Sequence, residues 1–99
     1  MRPIHVAHLD KVRPVLVLTR EIVRPHLNTV TVAPITATVR GLSTEVPVGV
    51  ANGLEEPSVV ACDHVTTIPK DALGARIGLL LGSQEAALSN AIRAAFDLD

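Results

Sequence analysis

Residues 29–36 read Thr29-Val30-Thr31-Val32-Ala33-Pro34-Ile35-Thr36, and the reading of this stretch decides the fold class. Side chains two apart share one face of a strand, so threonines and valines separate to opposite faces. Pro34 has no N–H to give to a ladder, which predicts a bulge or bend there. Upstream, Ile4 to Leu9 alternates as a half-buried strand, and Asp10-Lys11 is short enough for a turn. Arg13-Pro14 then leads into Val15-Leu16-Val17-Leu18-Thr19, a β-branched run buried on both faces. Pro14 should open that strand and hold Arg13 in an extended conformation.

Glu21 to Asn28, with Pro25 inside it, reads as a loop or brief helical turn in which Asn28 suits a left-handed conformation. Downstream, Gly41, Ser43 and Thr44 precede Glu45-Val46-Pro47-Val48, an edge-like strand because of Pro47. Asn52-Gly53 marks a hairpin or turn. Residues 57–68 form an extended stretch, Lys70 to Leu73 a short turn or 3₁₀ segment, and Ile77 to Leu80 a last short strand. Ser83 is placed to cap a final helix whose apolar face carries Leu88, Ala91, Ile92, Ala95 and Phe96. Many short strands and one terminal helix give a mainly β class: a small antiparallel barrel or twisted sheet closed by a C-terminal helix, as one domain over 1–99.

Composition narrows the chemistry. Of 99 residues 47% are hydrophobic, yet Phe96 is the single aromatic, so the core is built from Val, Leu, Ile and Ala. Such small pieces make burial shared with a second copy attractive, and an oligomer is expected. Cys62 is the only cysteine, which rules out an internal disulfide and a multi-cysteine zinc site and fits a cytoplasmic setting. No segment approaches the roughly 18 uninterrupted apolar residues of a membrane span. The net charge of −1 argues against a general nucleic-acid binder. Its distribution is uneven: residues 1–40 hold six basic and two acidic residues (+4), residues 41–99 three basic and eight acidic (−5).

No P-loop, GxGxxG, G-x-S-x-G or H-E-x-x-H motif occurs. The four histidines, His5, His8, His26 and His64, lack metal-ligand spacing, so neither metal nor cofactor is expected. Arg13 at a strand mouth would be preorganised for phosphate; an ordinary surface arginine is the competing description. Thr36 and Thr38, with Arg40 close behind, read equally as β-formers on a solvated face.

Three segments change that balance. RPVLVLT at 13–19, VTVAPITATVRG at 30–41 and VVACDHVTTIPKDALGARIG at 59–78 resemble, in order and spacing, the MazF/PemK/Kid toxins of type II toxin–antitoxin systems. The resemblance covers nearly the whole chain. It implies the small SH3-like barrel with a C-terminal helix (the CcdB/Kid/PemK-like fold), dimers, a cognate antitoxin, and sequence-selective, metal-independent cleavage of single-stranded RNA. By matching position it makes Arg13 and Thr36 the catalytic pair and extends the RNA-binding set to Pro14, Thr38, Arg40, Asp63 and His64. Two departures stand out: the loop before Arg-Pro shrinks to about Asp10-Lys11-Val12, and His64 replaces an amide. The rival expectation is a non-catalytic interaction domain, either a degenerate toxin kept for antitoxin binding or a gyrase-binding toxin resembling CcdB.

Overall fold

β3 occupies Thr29–Thr36, the bounds its alternation predicts, and the molecule is organised around it. The computed structural model describes residues 2–99. The other strands are β1 (Pro3–His8), β2 (Val12–Val17), β4 (Glu45–Val48), β5 (Ser58–Ala61), β6 (Thr66–Pro69) and β7 (Leu73–Leu79), followed by helix α1 (Glu85–Ala95). All pairings are antiparallel, in the order β4-β5-β3-β2-β1-β7, with β6 also pairing β3. The fold is therefore mainly β with one C-terminal helix, as the sequence indicates.

On one side β3 changes partner. Thr29 to Val32 pair with β6, whereas Ile35 and Thr36 pair with β5. The switch falls across Ala33-Pro34, where the missing N–H predicts an interrupted ladder. On its other side Pro34 stays in register opposite Val15 of β2.

Because β2 and β3 are central, both their faces are covered, by two different cores. Val15, Val17, Val30 and Val32 join Ala7 and Ile68 in one. Leu16, Ala33 and Ile35 join Ile4, Val46, Val60 and Leu80 in the other, which α1 seals with Leu88 and Ala91. Fully burying one such leucine stabilises by about 1.5–3 kcal/mol, which is what holds an 11-residue helix that would be marginal alone. Phe96, expected on that apolar face, is 55% exposed because the helix ends at Ala95.

The two ends of the strand path meet without a ladder. After β4 a 3₁₀ turn, Val50–Asn52, ends at Gly53 in the left-handed conformation (φ +89°), and the buried Asn52 donates from Nδ2 to the Leu79 carbonyl at 2.9 Å. Gln84 completes this junction: its Oε1 accepts from Asn52 Nδ2 and the Leu81 N–H, and its Nε2 donates to Asn52 Oδ1 and the Pro47 carbonyl. The buried Asn52 amide, satisfied on both its oxygen and its nitrogen, adds stability that an unpaired one would subtract. Gln84, not Ser83, also occupies the N-cap of α1.

Further expectations are revised locally. The extended stretch at 57–68 is broken by a 3₁₀ turn at Cys62–His64, and the last strand starts at Leu73, four residues before Ile77. Asn28 is not left-handed; among the described residues Asp97 is the only non-glycine with positive φ. β1 meets β7 with two register shifts, from Pro3↔Leu79 to Ala7↔Leu73. Beside it His5 Nδ1 lies 2.9 Å from the Gly74 carbonyl oxygen.

Candidate active site

Strand alternation builds the floor of a groove of about 390 Å³. Arg13 lies on the β2 face of Val15 and Val17; Pro34 and Thr36 lie on the β3 face of Val30 and Val32. At the Val15 and Val32 end this face is buried, but at Arg13, Pro34 and Thr36 it is only half-buried and opens to solvent. The β2–β3 register runs Val17↔Val32, Leu16↔Ala33, Val15↔Pro34. Continued two residues, it sets Arg13 across from Thr36, at the spacing where side chains of neighbouring strands interact.

The same alternation sends Pro14 away. It shares the opposite face with Leu16 and lines a second cavity with Val6, Ile35, Ala37 and Ile77. Its expected place among RNA-contacting residues is thereby corrected: Pro14 shapes the strand that presents Arg13 but does not face the groove. It also lies inside β2, opposite Val6, two residues after the strand begins.

The walls come from further along the chain. Thr38 and Arg40 stand on the exposed loop 37–44, and Asp63 and His64 on the turn that interrupts β5 and β6. Six of the seven residues singled out in the sequence thus line one groove. Thr44 and Glu45 complete it and carried no sequence signal, because what places them is the long-range pairing of Glu45 with Ala61 across β4 and β5.

The groove contains both signs of charge, but they are not equally available. Asp63 accepts a hydrogen bond from the Thr44 hydroxyl at 2.5 Å, and Glu45 accepts from the backbone N–H groups of Arg40 and Leu42, each at 3.1 Å. Both carboxylates are thereby partly neutralised. Arg13 differs: its side chain is 29% exposed and its Nε is buried with no partner, while Nη2 stands 3.8 Å from Asp10 Oδ1. At 3.8 Å the Asp10 contact is longer than a hydrogen bond, so the terminal N–H groups of Arg13 remain available to an acceptor in the groove. Arg40 makes no ion pair among the described residues. Thr36 Oγ1 accepts the Thr38 N–H at 3.1 Å, which leaves its own proton free to be donated outward. This is a surface complementary to an oxyanion.

The basic N-terminal half is not a basic face, since Arg13 and Arg40 share the groove with Asp63 and Glu45, and Arg2 is turned to Glu85 and the Leu18 carbonyl. Cys62 is wholly buried beside the groove. Burial first, and the neighbouring Asp63 carboxylate second, push its thiol up to about 11. No group of three or more His, Cys, Asp or Glu side chains converges among the described residues.

The molecule is thus a small antiparallel β fold sealed by one helix, with a polar groove where β2 begins and β3 ends. The chain belongs to the PemK-like, MazF-like toxins of type II toxin–antitoxin systems, whose family model matches residues 3–96. Endoribonuclease MazF3 of Mycobacterium tuberculosis is 70% identical over 99 residues, 100% of this chain and 96% of that protein. The solved Mycobacterium tuberculosis toxin MazF-mt6 superposes with a TM-score of 0.97 at 69% identity, covering 99% of each chain. An endoribonuclease from a mycobacterial species, solved in complex with its cognate antitoxin, shares the fold with a TM-score of 0.88 at 23% identity, over 98% of this chain and 93% of that one. The protein is a homologue of MazF endoribonuclease toxins.

Proposed function

We propose that this chain is a cytoplasmic endoribonuclease that cuts single-stranded RNA at short sequences without a metal, with Arg13 and Thr36 as its catalytic pair. The observation that carries this reading is the strand register that sets the Arg13 guanidinium across from the Thr36 hydroxyl in one open groove. In the reaction the RNA's own 2′-oxygen attacks the adjacent phosphorus. A 2′-O–P bond forms, the P–O5′ bond breaks, the 2′-hydroxyl gives up its proton and the 5′-oxygen gains one. The products are a 2′,3′-cyclic phosphate and a 5′-hydroxyl. Charge gathers on the non-bridging oxygens, where the Arg13 fork and the Thr36 hydroxyl donate to it. Arginine remains protonated at all relevant pH, so it clamps charge and is unsuited to act as a base. His64 lines the same groove. Arg40 and Thr38 engage neighbouring phosphates, and Asp63 with His64 engages unpaired base edges, which duplex RNA would hide.

The test is a long defined RNA in chelator and a matched strand with one deoxynucleotide 5′ of the scissile phosphate. Cutting of the first, with cyclic phosphate ends, and binding without cutting of the second are expected. Ends carrying 5′-phosphates, or equal cutting of the deoxy strand, would overturn the mechanism. RNA left intact by a protein that still binds its antitoxin would instead support the non-catalytic reading that the short Leu9–Lys11 connection keeps open.

Two partners go with this reading. A cognate antitoxin is supported by the antitoxin-bound neighbour of the same fold. A homodimer is supported by a core without an aromatic side chain, the chain's single aromatic residue, Phe96, being 55% exposed. Sedimentation checks the second: a monomer persisting at tens of micromolar counts against it.

A further inference from the structure

Loop 37–44 forms one wall of the groove and has no apolar anchor. Ala37 to Ser43 are all exposed, including the large hydrophobic residues Val39 and Leu42. Nor does a ladder hold the loop, which lies between the last residue of β3 and the first of β4. Chain of this kind loses its order unless specific bonds restrain it. In its middle, residues 40–42, those bonds converge on Glu45. Glu45 Oε1 accepts the N–H of Arg40 and of Leu42, Oε2 approaches the Arg40 N–H at 3.4 Å, and the Glu45 N–H donates back to the Leu42 carbonyl at 3.1 Å. The two ends are tied elsewhere: the Thr38 N–H donates to Thr36 Oγ1, the Thr44 hydroxyl to Asp63, and the Cys62 N–H to the Thr44 carbonyl.

A carboxylate in a groove meant for a polyanion is otherwise a liability, because like charge repels phosphate. Its orientation resolves the conflict: the Glu45 oxygens face loop N–H groups, and the backbone they restrain carries the unpaired Arg40 guanidinium into the groove. We propose that Glu45 is a positioning residue for RNA: it latches loop 37–44 so that Arg40 and Thr38 are held where the strand passes. This rests on the RNA-cutting reading above.

The two roles open to Glu45 predict opposite signs. If it were only a negative charge lining the groove, both Glu45→Ala and Glu45→Gln would tighten RNA binding. As a latch, its loss weakens binding, and glutamine, which keeps one acceptor oxygen, lies between alanine and the parent. The experiment pairs amide hydrogen exchange without RNA with the affinity of each protein for the single-stranded RNA bearing the deoxynucleotide at its cut position. Glu45→Ala should unprotect the Arg40 and Leu42 amides while Val32 and Val60 keep their protection, and should weaken binding about tenfold, the net worth of one hydrogen bond to a charged group. Glu45→Gln should recover part of both. The chemical step of bound, cleavable RNA should slow much less than binding weakens, because Arg13 and Thr36 sit on strands the latch does not hold.

Tighter binding by both variants, or unchanged exchange at Arg40 and Leu42, overturns the proposal. A Glu45→Ala protein that loses protection at Val32 as well has lost its fold, and the glutamine variant then decides by the same two measurements. A parent that binds no RNA sinks the RNA reading and the role in RNA binding with it, whereas the exchange result separately decides whether the latch exists.

Discussion

Asp10 Oδ1 stands 3.8 Å from Arg13 Nη2, reaching from the β1–β2 turn to the one arginine whose Nε is buried without a partner. With its side chain 81% exposed, Asp10 is a loose and screened counter-ion, one that a phosphate would displace. Asp10→Ala should therefore tighten the binding of single-stranded RNA about two- to fivefold at low salt, the range of an exposed ion pair. The gain should vanish by several hundred millimolar salt. Titrations at two salt concentrations check this; weaker binding by the variant at both would show that Asp10 orients Arg13 instead of competing for it.

Arg13→Ala and Thr36→Ala should each slow cleavage about 10²–10³-fold, the usual effect of deleting a charge-stabilising donor. Thermal unfolding should move little, since neither side chain belongs to a core cluster. Arg13→Lys should stay nearly as slow as alanine, because an ammonium retains the charge but not the planar fork. Single-turnover rates set beside melting curves are the measurement, and parent-like rates would remove both residues from the site.

The raised pKa of Cys62 makes stability fall in alkali. The folded protein holds the thiol proton up to about pH 11, whereas the thiol's ordinary value is 9.0. The contribution is therefore fully present below pH 9 and lost as pH rises toward 11, with a slope near 1.4 kcal/mol per pH unit. Urea unfolding at a series of pH values should show this slope in the parent and lack it in Cys62→Ala. Below pH 9 the folded thiol should also react slowly with disulfide reagents, being both buried and protonated.

Gly78→Ala should destabilise the fold by at least about 2 kcal/mol, since overpacking against rigid groups is costly. A Cβ on Gly78 would stand 1.7 Å from the Asn52 carbonyl oxygen, and both groups are backbone that no rotamer change can move. Gly82→Ala, with nothing within 4 Å of the added carbon, is the control and should be nearly silent. Melting temperatures of the two variants make the comparison.

Legibility in the sequence followed the range of the forces involved. The alternation of residues 29–36 is local, and β3 has the bounds it implies. The apolar stripe of α1 is equally local, and Leu88 and Ala91 are buried as expected. Arg13, Thr36, Thr38, Arg40, Asp63 and His64 were recognisable by resemblance and meet in one groove. The fate of Pro14 was missed although two-residue periodicity contained it: a residue next to Arg13 on a strand must face the other way. Glu45 and the pair Asn52–Gln84 were out of reach, because their partners are set by tertiary pairing between segments that are not neighbours in sequence.

The pairing of Pro3 with Leu79 joins nearly the first described residue to the end of the last strand. During synthesis β1 can pair with β2 once Val12–Val17 has emerged behind the Asp10-Lys11 turn. Its other edge waits for β7, and the Asn52 junction waits for Leu79 and Gln84 as well. A ribosome-bound chain that already contains every groove residue, 13 to 64, still presents an open strand edge. The groove is therefore complete in sequence well before the sheet around it can close, because closure waits for residues 73–84.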